Sequence, residues 1–276
     1  MTNAINDTSK MGPIPDLVNK LHWSNSANVL CNYMKEQRYL DLVLRNQAII
    51  PRYVMEPIGY LGLGELKTIC FPMTCFCDIP FSRVGTHMSR YGKYGIGLDK
   101  NAVLDKYRIQ PIQYMNNRSP LTDDFRQAFL TFYNSEEEIE GSTEVLLDYL
   151  LSSLVYMKPI WGQEKNKEGN LEQYVYQDEC EWRFIPSDNF PKELKPLILK
   201  QRDTTEKARL LFSAALAKHK ECWLTFNWEE LRYLMVPDEV AAKKTIETIK
   251  GLSINEAEKY LLVSKIEISG KFSDNM

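Results

Sequence analysis

The segment DECEWRFIP, residues 178–186, places two carboxylates and a guanidinium two residues apart. Side chains at that spacing lie on one face of a β-strand, so Glu179, Glu181 and Arg183 are expected to point the same way. A carboxylate pair in a cleft can stabilise a sugar oxocarbenium ion and orient a nucleophile. An exposed ion pair between neighbouring strands would give the same pattern, and the spacing alone leaves both interpretations open.

A second segment with reactive side chains is CFCDIPFSRVGTHMSRYGKYGIGL, residues 75–98. Four side chains in or beside it are possible zinc ligands: Cys70, Cys75, Cys77 and His87. No CxxC spacing is present, two of the cysteines share one strand face, and a histidine on an apolar helix face is usually a core residue, so we expect no metal. The glycines match neither GxxxxGK[ST] nor GxGxxG, which argues against a phosphate loop. The wall of another kind of pocket is the third possibility.

The hydrophobic pattern predicts short strands mixed irregularly with helices, an α+β fold. Predicted strands lie at 67–80, 94–98, 111–115, 180–186, 222–227, 231–236 and 264–269. Predicted helices lie at 27–45, 82–91, 99–106, 120–133, 142–157, 205–219 and 239–250, with Ser82, Asp99 and Ser119 as N-caps. Polar residues 161–173 are predicted to form a loop. We expect one domain over residues 1–276, with a helical insertion at 119–173.

Composition is that of a globular protein of 276 residues, with 44% hydrophobic and 26% charged residues and a net charge of −3. No basic start followed by an apolar run is visible, so no secretion signal is predicted. The most apolar segment, 146–157, is too short to cross a bilayer, and no membrane partner is expected. Six cysteines in such a chain indicate reduced thiols and a cytoplasmic location.

Charge is unevenly distributed along the chain. Residues 83–118 hold seven lysines and arginines against two aspartates, and residues 121–150 hold eight acids against Arg126 alone. Two solvated faces would explain this distribution. A basic surface beside a pocket would instead suit a phosphate-bearing partner.

Several motifs follow one another in an order that resembles a known family. They are CFCDIPFS with a following histidine and YGKYGIGL, then MKPIWG, ECEWRFIP and LRYLMVPDE. Their combination resembles the AbiGi family of bacterial abortive-infection loci, from about Leu21 to the end of the chain. His22-Trp23-Ser24 and Pro51-Arg52-Tyr53, with Glu56, match two further elements. The resemblance implies a role in anti-phage defence within a toxin–antitoxin system, with this chain as the toxic effector and a cognate antitoxin as its partner.

The order of these motifs is also similar, more remotely, to ADP-ribosyltransferases, and among them to DarT-type enzymes that modify nucleic acid. That resemblance implies a split mixed sheet, NAD as substrate, and transfer of ADP-ribose to RNA, DNA or protein. The Ser-Thr-Ser strand of the arginine-modifying subclass is missing. Two alternatives follow from the same fold: a catalytically inert antitoxin or binding protein, and an NAD glycohydrolase that uses water as acceptor.

The same resemblance implies roles for particular residues. Glu181 would stabilise the cationic transition state, and Glu179 would orient the acceptor. NAD would be bound by a ribose donor, an arginine on the pyrophosphate and tyrosines on the nicotinamide, drawn from His22, Ser24, Arg52, Tyr53, Tyr91 and Tyr94. The acceptor would contact Arg90, Lys93 and Arg183. Alternatively, Arg90 and Lys93 only cover the tyrosine-bearing helix.

Overall fold

A computed structural model describes residues 26–133, 141–166, 168–186, 190–200 and 205–269, so His22 and Ser24 lie outside the described residues. The helices are α1 Gln37–Asn46, α2 Gly85–Tyr91, α3 Lys100–Lys106, α4 Pro120–Tyr133, α5 Ser142–Leu154, α6 Glu206–Leu216, α7 Glu239–Lys250 and α8 Glu256–Val263. The strands are β1 Val29–Met34, β2 Ala48–Ile49, β3 Arg52–Pro57, β4 Thr68–Cys77, β5 Tyr94–Asp99, β6 Gln110–Pro111, β7 Gln113–Met115, β8 Met157–Pro159, β9 Trp161–Lys165, β10 Leu171–Val175, β11 Glu181–Phe184, β12 Leu199–Lys200, β13 Leu224–Thr225, β14 Leu231–Val236 and β15 Ile266–Ile268.

Nine of the described strands form a mixed sheet that is split beside β4, and the other six pair in three two-stranded sheets. The sheet order is β15-β14-β5-β1-β4-β11-β6, and β3 and β12 also pair with β4. The long strand β4 pairs with β3 over Thr68–Met73 and with β11 over Thr74–Cys77. It meets β1 only at the pair Cys31 and Cys77. A cleft opens where β1 and β3 separate, and the mixed sheet with its helices confirms the predicted α+β class.

Two hydrophobic clusters hold the sheet from different sides. The larger one joins α1 and α7 to β1, β5 and β14, and the buried face of α1 contributes Leu40, Val43 and Leu44. The second joins α4 and α5 to β4 through Phe129, Leu154 and their neighbours. The helices of segment 119–173 therefore pack against the core, and they carry the chain on to β8. That this segment is an insertion in one domain stays a prediction.

A buried ion pair fixes the chain just before β1. The Lys100 Nζ lies 2.5 Å from the Asp78 Oδ2, and the exposed fractions of the two side chains are 1% and 8%. The same lysine donates to the Ser26 Oγ at 3.1 Å, and the Ala27 N–H donates to the Asp78 Oδ1 at 2.9 Å. The aspartate of the CFCDIP motif thus ties the start of β1 to the end of β4.

Two secondary-structure predictions are wrong because tertiary pairing decides short segments. The helix predicted at 27–45 is divided: Val29–Met34 pairs along its whole length with β5, and α1 begins only at Gln37. The loop predicted at 161–173 is the hairpin β9–β10. Its turn is closed by the Asn166 side chain, which accepts from the Glu168 and Asn170 N–H groups at 3.1 and 2.9 Å.

The capping predictions have mixed outcomes. Asp99 accepts from the Ala102 N–H at 3.0 Å, and Ser119 accepts from the Thr122 N–H at 3.3 Å, so both are confirmed. Ser82 is not a cap, because it lies in a separate 3₁₀ turn before α2. The helix α8 was not predicted, although Asn255 and Glu258 form a capping box at its start.

Candidate functional site

The cleft beside β4 has a volume of about 780 Å³ and is bordered by β1, β3, β4, α1 and α6. Its floor is bridged by Asn32 of β1, whose side-chain amide donates to the Cys75 carbonyl at 2.8 Å. Alternate residues of β3 line it, namely Arg52, Val54 and Glu56. Because a strand rises about 3.3 Å per residue, the first and last of these are about 13 Å apart along the cleft. The cleft is therefore long, with a basic side chain at one end of β3 and an acidic one at the other.

Buried charged residues form a continuous ion-pair network at the acidic end of the cleft. The Arg183 Nε donates to the Glu181 Oε1 at 2.6 Å and its Nη2 donates to the Glu56 Oε2 at 2.8 Å. The Lys158 Nζ donates to the Glu181 Oε2 at 3.0 Å and to the Glu179 Oε2 at 2.5 Å. Exposed fractions of 2% for Glu179, 7% for Glu181 and 0% for Arg183 show that this is no exposed ion pair. That alternative interpretation is wrong.

A tight turn brings the two carboxylates together. Glu181 and Arg183 point to one face of β11, as the spacing predicts, whereas Glu179 ends a 3₁₀ turn at Tyr176–Glu179. Cys180 between them has a φ of 44°, a left-handed conformation that is uncommon for a residue with a side chain. This turn puts Glu179 beside Glu181, and Cys180 itself is exposed.

Acidic side chains outnumber basic ones by three to two in this buried ion-pair network. Burial opposes ionisation of Glu181, but the charges of Arg183 and Lys158 outweigh it and lower its pKa from 4.5 to about 2. Burial also opposes the charge of Lys158, yet Glu181 and Glu179 hold its pKa well above the usual value. Three carboxylates, those of Glu56, Glu179 and Glu181, therefore face two cations. Such a buried surplus favours a ligand that carries or develops positive charge.

Aromatic rings form the wall next to these carboxylates. The Tyr91 hydroxyl donates to the Glu179 Oε1, and the His87 ring lies 4.5 Å from the Tyr91 ring and 5.5 Å from the Tyr33 ring, centroid to centroid. Burial lowers the pKa of His87 from 6.5 to about 4, although Glu179 and Glu181 oppose the shift. His87 is therefore a neutral ring of the cleft wall at pH 7, and it packs against the Tyr91 ring at an interplanar angle of 34°.

His87 should make stability depend on pH between 6.5 and 4. Because its pKa is lower in the folded chain, the unfolded chain binds the proton first, and stability present above pH 6.5 is lost as the pH falls to about 4. We expect His87→Phe to abolish about 2 kcal/mol of this loss, measured by urea unfolding at pH 7 and pH 4.5. His219→Gln, outside the cleft, is the control. Equal pH dependence in wild type and His87→Phe would contradict the assignment.

The structure brings some predicted site residues to the cleft and not others. Glu179, Glu181, Arg52 and Tyr91 line it. Tyr53 does not, because neighbouring strand residues point to opposite faces, and its ring is buried 5.3 Å from that of Phe212. Tyr94 packs against the larger core cluster.

The three residues predicted to contact the acceptor have different surroundings. Arg183 is fully buried and holds Glu181 and Glu56, so it positions the carboxylates instead of reaching a ligand. Arg90 pairs with Glu164 of the β9–β10 hairpin, and its guanidinium lies 3.8 Å from the centroid of the Tyr174 ring. Lys93 is exposed.

Lys158 is a residue of the candidate site that sequence reasoning missed. It lies in the MKPIWG motif on β8, and its ammonium bridges both carboxylates and lies 4.9 Å from the centroid of the Tyr176 ring. The motif itself was the available signal. It follows the helical segment directly, so the packing of α4 and α5 decides where this lysine lies.

A smaller cavity of about 190 Å³ adjoins the buried ion-pair network. Glu56, Tyr91 and Lys158 line both this cavity and the main cleft. Glu164 and Tyr176, from the hairpin and the turn that follows it, close its other side. The smaller cavity therefore meets the main cleft at Glu56, Tyr91 and Lys158, while Glu179 and Glu181 line the main cleft.

The described ranges hold neither a group of metal ligands nor a helix that could span a membrane. Within them, no group of three histidine, cysteine or acidic side chains is placed to hold a metal ion. None of the helices in those ranges is long and apolar enough to cross a membrane.

Comparison with known proteins identifies the family. A family model described as "Putative abortive phage resistance protein AbiGi, antitoxin" matches residues 47–237. A relative from Lactococcus lactis subsp. cremoris, "Abortive phage resistance protein AbiGi", is 31% identical over 250 residues, covering 83% of this chain and 99% of the relative. No solved structure matches the chain, so its likeness to ADP-ribosyltransferases stays a prediction. The match spans the CFCDIP, MKPIWG and EWR motifs and confirms the predicted family: the chain belongs to the AbiGi family.

Proposed function

We propose that this AbiGi-family chain takes part in defence against phage by binding NAD in its cleft and transferring ADP-ribose to an acceptor macromolecule. The observation that carries the proposal is the buried pair of carboxylates, Glu179 and Glu181, beside Tyr91 in a cleft of about 780 Å³. That volume lies in the range of ligand sites, ~300–1,000 Å³. Arg52 at the other end of β3 suits the negative charge of a pyrophosphate.

The charges suit the way NAD is cleaved. The bond between ribose C1′ and the nicotinamide nitrogen breaks, its electron pair leaves with neutral nicotinamide, and positive charge develops on the ribose. Glu181 would stabilise that charge, because it stays ionised and is positioned by Arg183 and Lys158. The Tyr91 ring, with neutral His87 packed against it, would hold the nicotinamide ring.

The acceptor then forms a new bond to C1′ with its own electron pair. Its proton passes to Glu179 and from there to water, so the products are nicotinamide, ADP-ribosylated acceptor and one proton. The smaller cavity gives the acceptor a separate approach, since it meets the cleft at Tyr91 and Lys158. Arg90 pairs with Glu164, which lines that cavity, and would hold the hairpin in place there instead of binding phosphate.

An antitoxin without catalysis is the second candidate, and two observations favour it. The family description contains the word antitoxin. In addition, Lys158 pairs with both carboxylates and Arg183 pairs with Glu181, an arrangement that also suits a structural ion-pair network. In that role the chain would bind a cognate toxin, and NAD would stay intact.

Incubation of the purified chain with adenine-labelled NAD and cell extract separates these functions. We expect release of nicotinamide and transfer of label to a macromolecule, and extract without the chain is the control. Digestion with nuclease or with protease then shows which class of acceptor carries the label. Nicotinamide release with free labelled ADP-ribose would instead indicate an NAD glycohydrolase. Intact NAD in the presence of folded chain would contradict the proposal and leave the antitoxin role.

A further inference from the structure

We propose that the part of the cleft between α1 and α6 binds the adenine base, so that the site recognises the adenosine diphosphate half of its ligand on its own. This part, the α1–α6 arm, is lined by Tyr39, Leu42, Ile50, Ser213, Ala214 and Ala217. The inference rests on the proposed function only for the other half of the ligand, the nicotinamide and its ribose.

The arm is a built part of the molecule because α6 is fixed to β3. The Tyr53 N–H donates to the Ser213 Oγ at 3.0 Å, and the Phe212 ring packs against the Tyr53 ring at 5.3 Å between centroids. Tyr53 thus lies outside the cleft but holds one wall of it. The side chains that α6 turns to the cleft are small, those of Ser213, Ala214 and Ala217, which leaves width between α6 and α1.

The lining of the arm is apolar and partly uncovered. Leu42 has an exposed fraction of 48%, and Ala214 is also exposed, although both border the cleft. Ile50 and the Tyr39 ring complete the surface. Apolar and aromatic side chains that border a cavity favour a flat apolar group, and a nucleobase has such faces on both sides.

Basic groups lie where a phosphate next to that base would be. The Arg52 guanidinium is 5.4 Å from the centroid of the Tyr39 ring, and that of Arg38 is 5.0 Å from it. No carboxylate of the described residues lies within ion-pair distance of Arg52, whereas Arg38 pairs with Glu36. Arg52 is thus available for an anion, and its planar group can bind two phosphate oxygens at once.

The order of charges along β3 agrees with this orientation of the ligand. Arg52 lies near the arm, and Glu56 belongs to the buried ion-pair network about 13 Å further along the strand. A dinucleotide with a cationic ring at one end and phosphates in its middle matches that order. Reversing it would place the cationic ring in the apolar arm, away from the surplus of carboxylates.

Direct binding measurements on the purified chain test the arm. Calorimetry with NAD, ADP and nicotinamide mononucleotide compares wild type with Ala217→Phe and with Ala214→Leu, which fills the arm from an exposed position. We expect both variants to weaken the binding of ADP and NAD at least about tenfold. The affinity for nicotinamide mononucleotide should change less than about twofold. Leu210→Phe, at an exposed position of α6 that does not line the cleft, is the matched control. Thermal melting confirms that each variant is folded.

The outcomes separate the arm from the proposed function. If NAD binds and neither filled variant weakens its binding, the arm is not the adenine site, and the proposed function is unaffected. A second outcome is that ADP binds to wild type and not to the variants, while NAD and nicotinamide mononucleotide do not bind at all. The arm is then the adenine site, and the proposed function fails. Equal weakening of all three ligands would contradict a separate base site. No binding of any of the three would contradict both.

Discussion

Glu181→Gln is expected to lower the rate of NAD cleavage at least about a hundredfold while leaving the affinity for NAD nearly unchanged. The amide keeps the shape of the side chain but removes the charge that, in the proposed function, stabilises the ribose cation, and such a charge matters most in the transition state. Nicotinamide release under saturating NAD gives kcat, and calorimetry gives the dissociation constant. A folded variant with turnover within about threefold of wild type would remove Glu181 from the mechanism.

A charge-balanced variant keeps this result interpretable. Glu181→Gln alone leaves Arg183 and Lys158 with one carboxylate fewer, so part of its effect could come from lost stability. The double variant Glu181→Gln, Lys158→Met removes one acidic and one basic side chain, so the buried ion-pair network keeps the same net charge. If the double variant melts near the wild-type temperature and is still inactive, loss of folding is not the cause. Glu172→Gln, on the exposed face of the hairpin, is the matched control.

Local spacing was sufficient to predict one part of the site. Glu181 and Arg183 lie on one strand face because residues two apart must do so. The same rule shows that Arg52 and Tyr53 cannot both line the cleft, and a stricter use of it would have excluded one of them. Glu179 reaches the site by a turn at Cys180 in a left-handed conformation, which no residue type in the segment indicates.

The remaining parts depend on contacts between distant segments. Lys158 precedes Glu181 by 23 residues, and its place beside that carboxylate follows from the parallel pairing of β7 with β8 and from the packing of α5. In the same way, Val29–Met34 has apolar residues that are compatible with a helix or a strand, and pairing with β5 makes the segment a strand. Short segments do not carry this information, because the partner that selects the conformation is elsewhere in the sequence.

Arg183→Met is expected to have the largest effect on stability, a loss of about 3–5 kcal/mol in the free energy of unfolding at pH 7. The guanidinium donates to Glu181, to Glu56 and to the Val155 carbonyl at 2.6, 2.8 and 2.7 Å. Methionine fills similar space but leaves two carboxylates and a carbonyl without their donor. Urea unfolding gives the difference. Lys250→Met, which breaks an exposed pair with Glu247, is the control and should cost less than about 1 kcal/mol.

The pH dependence of that loss distinguishes charge from packing. In wild type the pKa of Glu181 is lowered from 4.5 to about 2, so its ion pairs stabilise the fold above pH 4.5 and this contribution is lost as the pH falls towards 2. Without Arg183, burial is opposed by Lys158 alone, and the carboxylate accepts a proton more readily. The gap between wild type and Arg183→Met should therefore be largest near pH 7 and shrink below pH 4.5. A gap of the same size at pH 3.5 and pH 7 would mean that the side chain of Arg183 stabilises the fold by packing and not by holding Glu181.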